Sequence, residues 1–361
     1  MMADEANEEE VATAPAPGIL PSGPRPQASL EKERLVSKTH FLAALTAGTL
    51  FLAGCQSPAI PVESEGAGSG STSPGEIDFS NLPPAPLSTK SNVVYATIEN
   101  QALTMDLYYP KVVTAKTPAV LFIHGGGWYQ GEKTLVDGTV YGAIRDALLG
   151  RGIAIVSISY RFVPQFRFPA QIEDVRAALG YLAEHHERLA IDPERTAVWG
   201  SSSGGHLAAL AGLVSPDETP AGETVLRHRP KAVVSMYGVL DLEAAASQEF
   251  ATQFSRIAGM IAAATRVPVG TASPLLAQSS PTAYASADDP PIWLTHGEDD
   301  TLVPPAQSTA LHQRMLAAGG QSTLVPVKGA RHGFNLKADT VPKIPEVVSQ
   351  IEAFLVEQLQ P

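Results

Sequence analysis

The stretch IDPERTAVWGSSSGG (residues 191–205) decides the fold. Thr196–Trp199 reads as a short strand, and Gly205–Leu213 reads as a helix. Between them lies Gly200-Ser201-Ser202-Ser203-Gly204-Gly205, which has the form G-x-S-x-G. A chain that leaves a strand and enters a helix within so few residues must turn sharply. Flanking glycines allow that turn because they have no Cβ to clash. The middle serine, Ser202, is then pushed out at the top of the sheet, over a helix N-terminus that favours negative charge. Taken alone, the motif is equally compatible with a glycine-rich loop before a helix cap.

Three further segments each follow a predicted strand. His124-Gly125-Gly126-Gly127-Trp128 comes directly after the apolar run Ala119–Ile123. A glycine run lets backbone N–H groups approach and hold a developing oxyanion, as acyl transfer requires. It is not a phosphate loop, which would read GxxxxGK[ST] or GxGxxG. His124 is read as a hydrogen-bonded loop residue. Trp128 fits either packing against the serine turn or lining an acyl or alcohol pocket. His296-Gly297-Glu298-Asp299-Asp300-Thr301-Leu302-Val303 follows Pro291–Thr295, and Gly329-Ala330-Arg331-His332-Gly333-Phe334 follows Ser322–Val327. Singly, these acids and this histidine could be solvated loop residues, and the acidic run lacks the ligand spacing of a calcium loop. Jointly, all four segments sit at strand C-termini, where open α/β sheets bind ligands.

Working outward, Val93–Ile98 and Thr104–Tyr109 predict a hairpin at a sheet edge. Ile153–Tyr160 and Ala232–Tyr237 are further buried strands. Helices are predicted over Gly138–Arg151, Pro169–His186 and Val341–Gln358. Asp192-Pro193 reads as a turn before a strand. Buried strands alternating with helices imply an α/β fold, a mainly parallel sheet covered by helices on both faces. Residues 243–290 are long for a connection and partly helical, and are expected to form a small cap. The folded domain is placed at 91–361.

The chain has 361 residues, with 25 basic and 37 acidic side chains and a net charge of −12. A net-acidic chain without a basic block argues against nucleic acid as a partner. One cysteine excludes internal disulfides, a CxxC redox pair and a cysteine-based zinc cage, and no HExxH occurs. No metal site is read from the sequence. Residues 1–54 divide into an acidic extension and a leader, in which Lys32, Arg34 and Lys38 precede the apolar run FLAALTAGTLFLAG (41–54). That run is too short to span a bilayer and suits a signal-peptide core. Residues 55–90 are rich in Ser, Gly and Pro, the composition of a flexible tether.

Leu52-Ala53-Gly54-Cys55 resembles the lipobox of bacterial lipoproteins. The resemblance implies a diacylglycerol on Cys55, a membrane anchor through it, and a place in the bacterial cell envelope. The segments HGGGWYQGEK, SISYRF…FPAQIEDVRAAL, IDPERTAVWGSSSGG and HGEDDTLVP resemble the α/β-hydrolases of the esterase/lipase group with an HGGG loop, which includes hormone-sensitive-lipase-like enzymes. HGGGW and GSSSGG are more similar to bacterial carbohydrate-esterase-like and kynurenine-formamidase-like members than to the branch that carries GDSAGG. The resemblance implies a triad of Ser202, Asp300 and His332, in the chain order for this fold. It implies an oxyanion hole from the N–H groups of Gly126, Gly127 and Ser203, and no cofactor. The pattern H-G-x-x-D-x-x-V selects Asp300 over Asp299. Asp174 and Arg161 match family positions and are read as a structural pair. The reaction so implied is hydrolysis of a small-molecule ester, short-chain or carbohydrate-linked. An amidase or formamidase on the same triad is the alternative within enzymes. A catalytically dead surface binding module is the alternative outside them. The oligomeric state is not legible.

Overall fold

In the computed structural model, residues 89–215, 229–335 and 338–360 are described. The leader, Cys55 and most of the tether lie outside them. Eight strands form one sheet: β1 (Lys90–Ile98), β2 (Gln101–Tyr108), β3 (Thr117–Ile123), β4 (Ala154–Ile158), β5 (Ile191–Ser201), β6 (Val233–Met236), β7 (Ile292–Gly297) and β8 (Ser322–Val327). Their order is β1-β2-β4-β3-β5-β6-β7-β8. The first two strands form the antiparallel hairpin at the edge, β2 pairs antiparallel with β4, and β3 to β8 run parallel.

Side chains alternate between two cores because successive residues of a strand face opposite ways. In β3, Ala119, Leu121 and Ile123 face one core, while Val120 and Phe122 face the other. The first core is covered by α2 (Ala170–Glu184), α4 (Ser203–Leu213) and α9 (Ala306–Ala317), through residues such as Val175, Leu207 and Leu311. The second is covered by α1 (Val140–Gly150) and α10 (Ile344–Leu359), through Ile144, Leu148 and Ile351. The sheet is therefore buried on both faces, which is why its central strands are unbroken apolar runs.

Four short helices occupy the region expected to be a cap: α5 (Leu242–Ala245), α6 (Gln248–Gln253), α7 (Ser255–Thr265) and α8 (Pro274–Gln278). Ile257, Ile261 and Leu276 join the first core. The helix predicted over Pro169–His186 breaks at His185, and a single turn, α3 (His186–Leu189), follows. The turn predicted before a strand at Asp192-Pro193 is instead a bulge inside β5. Thr117 pairs with Ile191 and Ala119 with Thr196, so the intervening residues bulge out. The Asp192 carboxylate accepts the Glu194 N–H and the Arg195 Nε–H there. No helix among the described residues is long and apolar enough to cross a membrane.

Candidate active site

Ser202 stands between β5 and α4 with φ 54° and ψ −121°, a strained conformation for a residue with a side chain. Two backbone hydrogen bonds hold it: its N–H donates to Met236 O at 2.9 Å, and its carbonyl accepts from His206 N at 3.0 Å. Glycine is required beside it, since a Cβ on Gly200 would stand 2.1 Å from the carbonyl oxygen of Gly204. Ser201 and Ser203 are buried, and only Ser202 of the three serines is partly exposed.

The Ser202 hydroxyl is 2.9 Å from His332 Nε2, and His332 Nδ1 is 2.6 Å from Asp300 Oδ2. This hydrogen-bond pattern assigns the proton to Nδ1, leaving Nε2 to accept from the hydroxyl. The loops carrying the acid and the imidazole are tied together. Glu298 N donates to Val327 O, and Asp299 N donates to Ala330 O, both at 3.0 Å. Asp299 itself points to solvent, whereas Asp300 is buried.

Oδ1 of Asp300 accepts the backbone N–H groups of Leu302 and Val303, each at 2.9 Å. Oδ2 also faces His296 Nε2 at 3.3 Å, and His296 Nδ1 accepts from the Ser308 hydroxyl at 2.7 Å. Burial alone would raise the Asp300 carboxyl. Hydrogen bonds from His296, His332 and the Val303 N–H outweigh it and hold the group far below the usual carboxylate range. Asp300 is thus a fixed anion in a fixed orientation.

Gly126 and Gly127 adopt φ 121° and 65° and line a cavity of about 480 Å³ that Ser202 and His332 also line. Ser203 is the first residue of α4, so its N–H has no helical acceptor. His124 is a buried loop residue, its Nδ1–H donating to Gly125 O at 2.7 Å and its ring stacked on Tyr160. Trp128 packs beneath the glycine loop and does not line the cavity. Its indole N–H meets His206, which sits one turn after Ser202 on α4. Arg161 and Asp174 form a buried ion pair with Nη2 to Oδ1 at 2.8 Å.

Five cavity residues escape the sequence reading: Tyr141, Tyr237, Arg256, Ile257 and Met260. Tyr237 carries φ 39°, packs its ring 4.9 Å from that of His332, and shares a 2.8 Å hydrogen bond with the Tyr141 hydroxyl. Burial keeps the Tyr237 phenol protonated. Arg256 and Met260 enter the wall from α7. The position of Tyr237 at the C-terminal end of β6 was the available signal; nothing in the spacing of α7 marks its inner face. Among the described residues, no cluster of three or more His, Cys, Asp or Glu is placed to hold a metal ion.

A buried parallel sheet, a strained serine after its central strand and a Ser–His–Asp relay at the strand C-termini define an α/β-hydrolase. The chain belongs to the BD-FAE family, whose model matches residues 105–315. The match takes in Ser202 and Asp300 and ends before His332. Esterase LipC of Mycobacterium tuberculosis is 29% identical over 245 residues, covering 66% of this chain and 58% of its own. LipM of the same organism, a probable carboxylic ester hydrolase, is 28% identical, covering 68% of this chain and 55% of its own. The chain thus spans somewhat over half the length of these relatives. Among solved structures, a truncated carbohydrate esterase from gut microbiota is similar with a TM-score of 0.61 and 26% identity, covering 77% of this chain and 99% of its own. Thermogutta terrifontis esterase 2 phosphoramylated by tabun is similar with a TM-score of 0.60 and 25% identity, covering 78% and 98%.

Proposed function

We propose that this protein is a serine carboxylesterase that hydrolyses esters of short acyl chains, including carbohydrate-linked ones, through an acyl-enzyme. One observation carries the reading: Ser202 Oγ, His332 and Asp300 stand in hydrogen-bonded series at 2.9 and 2.6 Å. Ser202 Oγ attacks the acyl carbonyl as His332 Nε2 takes its proton. The N–H groups of Gly126, Gly127 and Ser203 receive the oxyanion. His332 then gives the proton to the leaving alcohol, while Asp300 holds the Nδ1–H tautomer and balances the imidazolium. Water, deprotonated by the same imidazole, releases the acid and restores Ser202.

The similarity to esterases supports this reading, and the phosphoramylated neighbour shows what to use as a probe. A fluorophosphonate should label Ser202 and no other residue. Ser202→Ala should lower kcat on p-nitrophenyl butyrate by at least about 10⁴-fold with an unchanged melting curve. Loss of labelling in Ser201→Ala or Ser203→Ala instead would move the nucleophile. The small cap region, residues 243–290, supports short acyl groups because it offers little apolar wall for a long chain. Faster cleavage of a C12 than a C4 p-nitrophenyl ester would overturn that preference, and faster cleavage of N-formyl or acyl-amide substrates would replace esterase by amidase.

For the N-terminal region, the proposal is a lipid anchor on Cys55 in a bacterial envelope, supported by the apolar run 41–54 and the residues Leu52-Ala53-Gly54-Cys55. Cys55→Ala should release the protein from membranes. Globomycin-insensitive maturation would exclude this route.

A further inference from the structure

Helix α7 turns one face to the cavity above Ser202. Met260 packs on the glycine loop, its Sδ only 2.9 Å from where a Cβ on Gly127 would stand. Arg256 precedes Met260 by four residues, one helical turn, so the two share a stripe on α7. Arg256, Ile257 and Met260 all line the cavity, and Arg256 is the only Lys or Arg among its described lining residues.

The Arg256 guanidinium is exposed and makes no ion pair or hydrogen bond with any described residue. Glu132 lines the same cavity from the loop after β3 but is not within ion-pair distance of Arg256. Helix stability does not account for the placement either. Arg256 is in the first turn of α7, at the positive end of its dipole, where a cation is disfavoured. The N-cap residue, Phe254, offers no side-chain acceptor to the first turn and no acid lies in it, so the end of the helix adds to the positive potential of the guanidinium. The helix end opposes the charge, and no described carboxylate is paired with it to offset that. A ligand in the cavity would.

We infer that Arg256 makes one side of the cavity a carboxylate subsite, and that the preferred substrate is an ester bearing a second, ionised carboxyl group. The inference rests on the esterase reading above. A guanidinium offers two parallel N–H donors to a carboxylate, and the cavity wall partly desolvates the pair. Glu132 repels the same group from the opposite sign of potential at the loop, so the charge also orients the substrate.

Two matched pairs test this by pH-stat at pH 7.5. Monoethyl adipate against ethyl adipamate places the carboxylate on the acyl side. 4-Acetoxybutyrate against 4-acetoxybutyramide places it on the alcohol side. In at least one pair the kcat/KM ratio of carboxylate to amide should exceed about 10, the lower end of what a charge-assisted hydrogen bond supplies. Arg256→Gln should bring that ratio to about 1, Arg256→Glu should bring it below 1, and 0.5 M NaCl should lower it in the wild type. The ratio is internal to each variant, so a general loss of turnover or of folded protein cancels. Ratios at or below 1 in both pairs, a ratio insensitive to Arg256→Gln, or preference for a quaternary-ammonium ester would overturn the subsite while neutral esters are still hydrolysed. Failure to hydrolyse any ester, p-nitrophenyl butyrate included, would instead overturn the esterase reading beneath it.

Discussion

The indole N–H of Trp128 donates to Nδ1 of His206 across 3.2 Å, with the two rings perpendicular. His206 Nε2–H donates in turn to Ser279 O at 2.7 Å. One neutral imidazole therefore joins the glycine loop, the helix behind Ser202 and the segment after α8. Protonating it would put a hydrogen on the nitrogen that must accept from the indole.

Acid should accordingly loosen the fold well before the carboxylates titrate. Burial pushes the imidazoles of His206 and His124 down to about 4, although each has one backbone hydrogen bond that pulls the other way. In the unfolded chain they take up protons near pH 6.5, so stability falls as pH drops from about 6.5 to 4. Each histidine should cost about 2 kcal/mol between pH 6.5 and 5. Asp300 acts lower down. Its depressed folded-state value makes a contribution that is complete above the ordinary Asp range and is lost only below about pH 4. Urea midpoints at pH 7.5, 6 and 5 check this; a flat midpoint would show that neither imidazole is held neutral.

The adjacent aspartates should separate cleanly. Asp300→Asn keeps the size of the side chain but presents the wrong partner to His332 Nδ1, so kcat should fall by about 10⁴-fold. Asp299→Asn should change kcat by less than about tenfold, because only its backbone N–H is engaged, on Ala330 O. Steady-state kinetics on p-nitrophenyl butyrate rank the two; the reverse ranking would pass the role to Asp299.

The glycine loop should tolerate substitution unevenly. A Cβ on Gly126 would stand 1.9 Å from the backbone oxygen of Gln130, which cannot swing away, and φ is 121°. A Cβ on Gly127 meets the Tyr129 ring and Met260 Sδ, which can move, at φ 65°. Gly126→Ala should lower kcat by about 10²–10³-fold, the loss of an oxyanion donor, while Gly127→Ala should lose less. Labelling by the fluorophosphonate at a reduced rate, with unchanged near-ultraviolet circular dichroism, would distinguish a displaced loop from an unfolded domain.

What the sequence makes legible follows from how local each signal is. The hairpin, the buried strands and the four strand-end loops are visible because each is one contiguous run with its own periodicity or turn chemistry. Helix α9 is not among the predicted elements: Ala306–Ala317 is mostly polar and small, and only Leu311 and Met315 turn a clear apolar edge inward. The inner face of α7 is equally silent, since Arg256 and Met260 become wall residues only through packing on Gly127. Trp128 is undecided in the sequence because its alternatives differ by its partner, His206, four residues after Ser202. That helical spacing was readable, but the 78-residue separation between the two rings was not.

The ion pair behind the glycine loop gives the last test. Arg161 Nε and Nη2 reach Asp174 Oδ1 at 2.9 and 2.8 Å, and the Arg161 backbone N–H donates to Oδ2 at 2.8 Å. Two residues on, Val163 N donates to Trp128 O at 3.0 Å, so this pair sets the backbone against which the glycine loop rests. Asp174 is fully buried, and Asp174→Ala would leave a guanidinium, 5% exposed as a residue, without its main partner. The cost should be about 3 kcal/mol, the lower end for a broken buried pair, because Glu173 Oε2 still meets Arg161 Nη2 at 3.1 Å. The double variant Arg161→Met/Asp174→Ala removes both charges and should recover part of that loss, because the penalty comes from the stranded cation more than from the missing bond. Turnover, however, should stay low in both variants, since neither restores the backbone N–H bond at residue 161. Guanidinium unfolding curves read the first effect and p-nitrophenyl butyrate kinetics the second. A double variant as unstable as Asp174→Ala, or either variant with wild-type turnover, would uncouple the pair from the loop.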